Sequence, residues 1–423
     1  MSRTDDRGIG ALSATALVAA NMIGAGVFTT SGFALADLRS RGLVLLAWVV
    51  GGLVALCGAL SYARLAERTP GNGGEYLYLS RLVHPAVGFL AGWVSLLAGF
   101  TAPIAVAAHG LEAYLGASFG LGVPVGWLGA GTILLAGLAH GVARAPGLSL
   151  QNAAVTLKLV AIAVFVILGV TRLGAGAESP AVAPPAPIPG IAAFALTLVW
   201  ISFAYSGWNA AVYVAGELRE PGRTLRRASL MGTLAVTFIY VALNGVFLYA
   251  APFDALAGRA EVGAIAAEAL GGAGARRALS AIVALGLATS ISAMVMVGPR
   301  VYAQMADDGL LPRLLGSGEG SPRAAIAMQV GLALVAFWLS GLRELLLFVG
   351  FLLGLSAAGT VGCLFLSPER RFRMPEAPGA PLIFIVVTLG SSLFMALQQP
   401  LESLAGLATL AVGLLVYLAS ARR

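Results

Sequence analysis

Two short runs in a largely apolar chain hold the residues best suited to chemistry. Asn21-Met22-Ile23-Gly24-Ala25-Gly26-Val27-Phe28 sets two glycines about one alanine. A second run, Phe203-Ala204-Tyr205-Ser206-Gly207-Trp208-Asn209, sets a Ser-Gly pair at a similar depth in its own apolar stretch. Unwinding at either place frees backbone N–H and C=O groups that lipid cannot satisfy, so they persist only beside a cavity or a ligand. The N-terminal end of a half-helix offers N–H donors and a positive dipole to a carboxylate. Freed carbonyls accept hydrogen bonds from an ammonium. A site with both is shaped for a zwitterion, an α-amino acid. Taken singly, each run also reads as a small-residue packing contact between helices. The two begin about 180 residues apart, and each opens a set of five apolar stretches, as in a five-helix inverted repeat.

Lys158, the only lysine, sits near the middle of another apolar stretch, Leu157-Lys158-Leu159-Val160. A mid-bilayer ammonium costs several kcal/mol unless it faces a cavity or partner. Two roles are open: a group that titrates during a cycle, or a fixed cation satisfied by freed carbonyls in place of an ion. Either argues against sodium binding nearby. His109 reads as a helix-end hydrogen-bonder. Glu217, Glu220 and the Arg219–Arg227 run read as a solvated gate or anchor, as do Asp307 and Asp308. Ser206, Thr289, Ser290 and Ser292 are placed to bond within their own helices.

The elements that position these groups must be membrane helices. Of 423 residues, 59% are hydrophobic and 11% charged, against about a quarter charged in soluble domains. Windows of about twenty apolar residues give twelve expected spans: 9–36, 43–66, 82–115, 124–142, 147–171, 191–216, 228–251, 263–303, 324–340, 343–366, 380–397 and 403–420. The expected fold is all-α. It is one polytopic domain, 1–423, with repeats at about 9–171 and 191–366 and two additional helices over 380–420. The Pro- and Ala-rich connection 173–190 reads as an extended outer loop. Nothing at the N-terminus reads as a cleavable signal.

Most arginines, including Arg64, Arg68, Arg219, Arg223, Arg226, Arg227 and Arg300, fall on one set of alternate segments, which places both termini inside. The expected location is the cell's inner (plasma) membrane, multi-pass. The net charge of +7 follows that topology and forms no nucleic-acid patch. Cys57 and Cys363 lie inside spans, so no disulfide-linked subunit is expected. No Cys/His cluster has metal-ligand spacing, and no cofactor is expected.

Four blocks resemble the amino acid–polyamine–organocation permeases, in order and over nearly the whole chain. They are Ile23-Gly24-Ala25-Gly26-Val27-Phe28; Gly73-Gly74-Glu75-Tyr76-Leu77-Tyr78 through Gly88-Phe89-Leu90-Ala91-Gly92-Trp93; Phe203 to Asn209 with Glu217, Pro221 and Arg223; and Arg300-Val301-Tyr302-Ala303 with Asp308-Gly309 and Pro312. The Gly-Trp-Asn triplet is most similar to the L-type branch. Ser206 stands where that branch often has glycine, and a side chain there narrows the pocket. The resemblance implies a five-plus-five inverted repeat with broken first and sixth helices. It also implies that amides of Gly24, Ala25 and Gly26 bind a substrate carboxylate. Carbonyls of Ile23, Phe203, Ala204 and Ser206 would bind its amino group, and the Phe203 ring would close over it. Lys158 would replace a sodium ion, with Ser290 as its eighth-helix neighbour.

The expected pocket walls, the first, third, sixth, eighth and tenth spans, carry no mid-depth Asp, Glu or Arg. A charged substrate side chain would have no partner there, which points to neutral amino acids. The expected activity is sodium-independent transport by alternating access, as proton symport or exchange, with an amino acid and the lipid bilayer as the partners. A transporter-like sensor and a carrier of other small amines or polyamines stay open. An enzyme would need mid-membrane acids, bases or metal ligands beyond Lys158. A channel would need a continuous polar stripe.

Overall fold

A computed structural model describes residues 10–71, 74–141, 148–174, 190–316, 323–366 and 373–420. Among them the apolar runs form helices, and no strand is present. In chain order the helices are α1 (Ala11–Met22), α2 (Gly26–Leu38), α3 (Arg41–Arg68), α4 (Gly74–Leu82), α5 (Pro85–Val94), α6 (Ala102–Phe119), α7 (Trp127–Gly141), α8 (Leu148–Gly174), α9 (Ile191–Tyr205), α10 (Pro221–Ala250), α11 (Phe253–Leu256), α12 (Val262–Asp307), α13 (Arg323–Leu339), α14 (Leu342–Gly362), α15 (Gly379–Gln398) and α16 (Pro400–Ser420).

Local chemistry sets the joints. The chain leaves α2 through Arg39 at φ 47°, and the Ser40 hydroxyl accepts from the Leu43 N–H at 3.3 Å to cap α3. His84 caps α5 in the same way through Nδ1, at 3.2 Å from the Ala86 nitrogen. A π-helical turn, Ser95–Thr101, joins α5 to α6. Pro103 crowds the carbonyl four residues back and lacks an N–H, which favours the wider turn. The Leu96 carbonyl there accepts the hydroxyls of Thr101 (2.7 Å) and Tyr302 (3.0 Å).

Nine described helices are long and apolar enough to cross a bilayer, and ten if α1 and α2, bent by 47°, are one span. The stretches expected to span at 124–142 and 324–340 contain α7 and α13, of only 15 and 17 residues. At 1.5 Å per residue these fall short of a hydrocarbon core about 30 Å thick. The segments 142–147 and 317–322 beside them lie outside the described residues, as does most of the expected outer loop, 175–189. The stretch 263–303 is also more complex than one span. Helix α12 runs for 46 residues but kinks at Gly272, whose φ is 74°. That conformation is open to glycine without a Cβ penalty.

Helix α10 packs against α1 and α3, and α9 against α2, α3 and α15; α12 packs against α6 and α8. The aromatic core lies in the first of these groups, where Trp48, Tyr205 and Tyr240 meet with ring centroids 5.1–5.8 Å apart. Outer helices turn leucines outward: Leu401, Leu404 and Leu415 of α16 are exposed, as suits a face solvated by lipid.

Candidate functional site

Both runs singled out in the sequence are breaks in helices, and the breaks touch. Helix α1 ends at Met22. Ile23 departs from helical geometry (ψ 82°), and the Gly24 N–H folds back to the Met22 carbonyl at 2.9 Å. Helix α2 then starts at Gly26 with Ala25 as its cap residue, which has no capping side chain. The first amides of α2 therefore begin a helix N-terminus without a side-chain partner, beside residues that are buried. In the second run α9 ends at Tyr205. Ser206 is extended (ψ 147°) and Gly207 takes φ 102°. The chain resumes as a 3-10 helix, Ala210–Glu217.

Two glycines make the crossing possible. A Cβ on Gly26 would stand 2.5 Å from the Ala204 Cα, and one on Gly207 would stand 2.8 Å from the Asn21 carbonyl carbon. Each break therefore packs its glycine against the backbone of the other.

The freed carbonyls have partners. The Tyr240 hydroxyl on α10 lies 2.6 Å from the Met22 oxygen and 3.0 Å from the Ala204 oxygen. One hydroxyl carries one hydrogen, so it donates to one of these carbonyls at a time. The Phe203 carbonyl accepts from the Ser206 N–H at 2.9 Å. The Lys158 ammonium donates to the Ile23 carbonyl at 2.5 Å, and Lys158 is only 6% exposed. Its stem runs past Gly286 of α12, where a Cβ would meet the Lys158 Cδ at 3.0 Å. The Ser290 hydroxyl turns back to the Gly286 carbonyl at 2.9 Å, as does that of Thr289. Phe203 is 8% exposed at the end of α9, while Gly24 and Ser206 are half-buried.

The family profile described as amino acid permease matches residues 9–417. The chain belongs to the amino acid permease family. It is a multi-pass membrane transporter, not an enzyme. It is 27% identical to the "Large neutral amino acids transporter small subunit 2" of Oryctolagus cuniculus, over 97% of this chain and 79% of that protein. It is 28% identical to the "Serine/threonine exchanger SteT" of Bacillus subtilis (strain 168), over 97% of both chains. A third relative, the "b(0,+)-type amino acid transporter 1" of Mus musculus, is 30% identical over 56% of this chain and 50% of that protein.

In this permease other sequence-singled residues lie apart from the breaks. The His109 Nε2 lies 3.0 Å from the Ser340 carbonyl oxygen. Glu220 and Arg223 form an exposed pair at 3.8 Å. His140 meets the Ser292 hydroxyl at 2.8 Å. Cys57 lies within α3 and Cys363 just beyond α14, both as free thiols. Among the described residues no group of acids, histidines and cysteines could hold a metal ion.

Three polar features escaped the sequence reading. One is Tyr240 itself. The second is a buried chain in which the Trp48 indole donates to the Ser31 hydroxyl at 2.9 Å, Ser31 donates to the Asn244 side-chain oxygen, and Asn244 donates to the Tyr240 carbonyl at 2.8 Å. The third is Glu75, 8% exposed, whose carboxylate accepts from Tyr62, Asn209 and Tyr213. Glu75 lies in one of the blocks of resemblance, but nothing in that block gives its partners, and the other two carry no local motif. An uncharged tyrosine or asparagine in an apolar stretch becomes legible only when its partner's position in space is known.

Proposed function

We propose that this chain is a sodium-independent secondary transporter of neutral L-amino acids, working by alternating access about the two breaks. The observation that carries this reading is the reciprocal packing of the breaks. It sets the uncapped start of α2 against the backbone of Ala204, which Phe203 and Ser206 flank in the chain. A carboxylate bound at the amides of Gly24, Ala25 and Gly26 gains both donors and dipole. The ammonium of the same molecule reaches the carbonyls of Ile23, Phe203, Ala204 and Ser206, and Phe203 closes over it.

Lys158 is the cation of the site, holding the Ile23 carbonyl in place of a sodium ion, with Ser290 steadying Gly286 beside it. The architecture is a five-plus-five inverted repeat, with α7 and α13 completing twelve spans and α15 and α16 outside the repeat. Both termini lie on the cytoplasmic side of the plasma membrane. The names of the relatives, one for large neutral amino acids and one for serine and threonine, support a neutral substrate, and the bacterial exchanger supports exchange.

Purified protein in liposomes tests the reading. Labelled serine, alanine or leucine should enter saturably, faster when unlabelled amino acid is inside, and equally in sodium and in choline buffers. Sodium stimulation, or no flux across a panel of neutral amino acids, refutes it.

A further inference from the structure

We propose that Glu75 is a positioning residue for the sixth-span break and acts on it through Asn209. Glu75 opens α4, the short helix between the second and third spans, yet it is 8% exposed. A buried carboxylate is costly without a partner, and no ion pair to it is present among the described residues. It is held by neutral donors. The Tyr62 hydroxyl of α3 reaches Oε1 at 3.0 Å, the Asn209 amide reaches the same oxygen at 2.7 Å, and the Tyr213 hydroxyl reaches Oε2. Two of the three donors come from the sixth span, one in the break itself and one along its second half.

The position of Asn209 gives this contact its consequence. Asn209 is the cap residue of the 3-10 helix Ala210–Glu217, with φ −88° and ψ 2°. Asparagine is among the strongest helix-capping residues because its side chain accepts from the first amides. Here it makes no capping bond and is directed instead to Glu75. The carboxylate holds Asn209 away from its own helix. Asn209 follows Trp208 and Gly207, so its orientation sets how the chain leaves Ser206. The packing around the contact is tight: Gly74, at φ 54°, lies where a Cβ would stand 2.5 Å from the Tyr213 ring. Without Glu75, Asn209 turns back to cap, and the carbonyls of Ala204 and Ser206 move with the rewound break. This inference rests on the proposed reading for its transport consequence, because those carbonyls are the ones assigned to the substrate's amino group.

The test exchanges the two partners. In liposomes, with serine, alanine or leucine as the probe, Asn209→Asp sets two carboxylates against each other and should raise the apparent KM about tenfold. Adding Glu75→Gln restores one amide and one carboxylate with the hydrogen bond reversed, and should bring KM back to within about threefold of the parent. Single effects that multiply in the double variant overturn the proposal. So does a Glu75→Gln variant that lowers the maximal rate alone, for then Glu75 is only a strut.

A second measurement needs no transport. In full-length protein with Cys57 and Cys363 replaced by alanine, Ser206→Cys is labelled with a soluble maleimide. Glu75→Gln should change the labelling rate by at least about threefold, and Asn209→Asp in addition should reverse the change. An unchanged rate overturns the proposal. A parent protein that carries no amino acid, yet shows the labelling shift, refutes the transport reading and leaves the Glu75–Asn209 contact standing.

Discussion

Replacing Lys158 with alanine is the most informative single perturbation of this site. The ammonium is 6% exposed and donates to the Ile23 carbonyl at 2.5 Å. Among the described residues it is the one charged group on the carbonyls of the breaks. Truncation has two effects that point the same way. It leaves the Ile23 carbonyl without the donor that fixes it, and it opens a gap beside Gly286, where the lysine stem now lies. A hydrogen bond to a charged group contributes about 1.5–3 kcal/mol, and about 1.4 kcal/mol is a factor of ten in affinity. The removed charge also no longer carries a desolvation cost, which offsets part of the loss of stability.

The net expectation is a protein that still folds, with an apparent KM raised about 10- to 100-fold by the unfixed first-span break. Initial uptake rates in liposomes against amino acid concentration measure this, with thermal unfolding in detergent as the fold control. The same preparation, assayed in sodium and in choline, tests the ion-site reading. If Lys158 stands where a cation would sit, the parent is indifferent to sodium. A KM of the Lys158→Ala variant equal to that of the parent refutes the argument that this ammonium holds the break, and sodium stimulation of the parent refutes its role as the fixed cation.

Three further outcomes follow from the same geometry. Gly26→Ala puts a methyl 2.5 Å from the Ala204 Cα; such overpacking costs about 1–3 kcal/mol, so the thermal midpoint falls and uptake is lost, whereas Gly24→Ala, whose methyl would meet nothing nearer than the Met22 oxygen at 4.0 Å, leaves the midpoint nearly unchanged. Tyr240→Phe removes the donor shared by the Met22 and Ala204 carbonyls, at about 1–3 kcal/mol, and raises KM more than it lowers the midpoint. Arg343→Gln loses a pair with Asp37 at 3.3 Å and a stack over Trp200 at 5.0 Å. With Arg343 41% exposed, the midpoint falls by less than the equivalent of about 2 kcal/mol and KM stays the same.

The sequence made the breaks legible because glycine is a backbone statement. Gly24, Ala25 and Gly26 marked where α1 stops and α2 starts, and Gly207 marked where the chain turns through a positive φ beyond α9. Lys158 was legible because a lone charge in an apolar stretch must find a partner. Span limits were legible where long apolar runs end in arginine, as at Arg68. They were less so where helices are short, as in α7 and α13, or where a kink hides inside a uniform run, as at Gly272. What the sequence could not show is which groups share the carbonyls. The Tyr240 hydroxyl reaches residues more than thirty and more than two hundred positions away, and no local pattern encodes such a distance. Glu75 was visible as part of a block of similarity, but its burial depends on Tyr62 and Tyr213 closing round it.

The polar contacts divide in a way that bears on how such a molecule moves. Bonds among α1, α2, α3, α9 and α10 are buried and interlocked: Trp48 to Ser31, Ser31 to Asn244, Tyr205 to the Trp48 carbonyl at 2.9 Å, and Tyr240 to both breaks. In a low-dielectric interior each is costly to leave unmade, so these helices are expected to travel together. A second set of bonds ties α1, α2 and the break between them to the helices and loops outside that group. Among the described residues they are Lys158 to Ile23, the Tyr114 hydroxyl to the Phe28 carbonyl at 2.9 Å, the Gly258 N–H to the Gly32 carbonyl at 2.7 Å, and Arg343 to Asp37. Three of the four fall along α2, towards the Arg39 turn, and Lys158 alone of the four holds the first span at its break. Opening at the α2 end must therefore break several bonds at once. Opening at the other end, where α1 enters the break, is opposed along the first span chiefly by the lysine. The unequal distribution predicts that loss of Lys158 biases the molecule towards opening at the α1 end. A thiol probe on either side of the break, labelled in parent and Lys158→Ala protein, decides it: faster labelling on the α1 side alone is the expected result, and equal acceleration on both sides shows that the lysine does not hold the first span against opening.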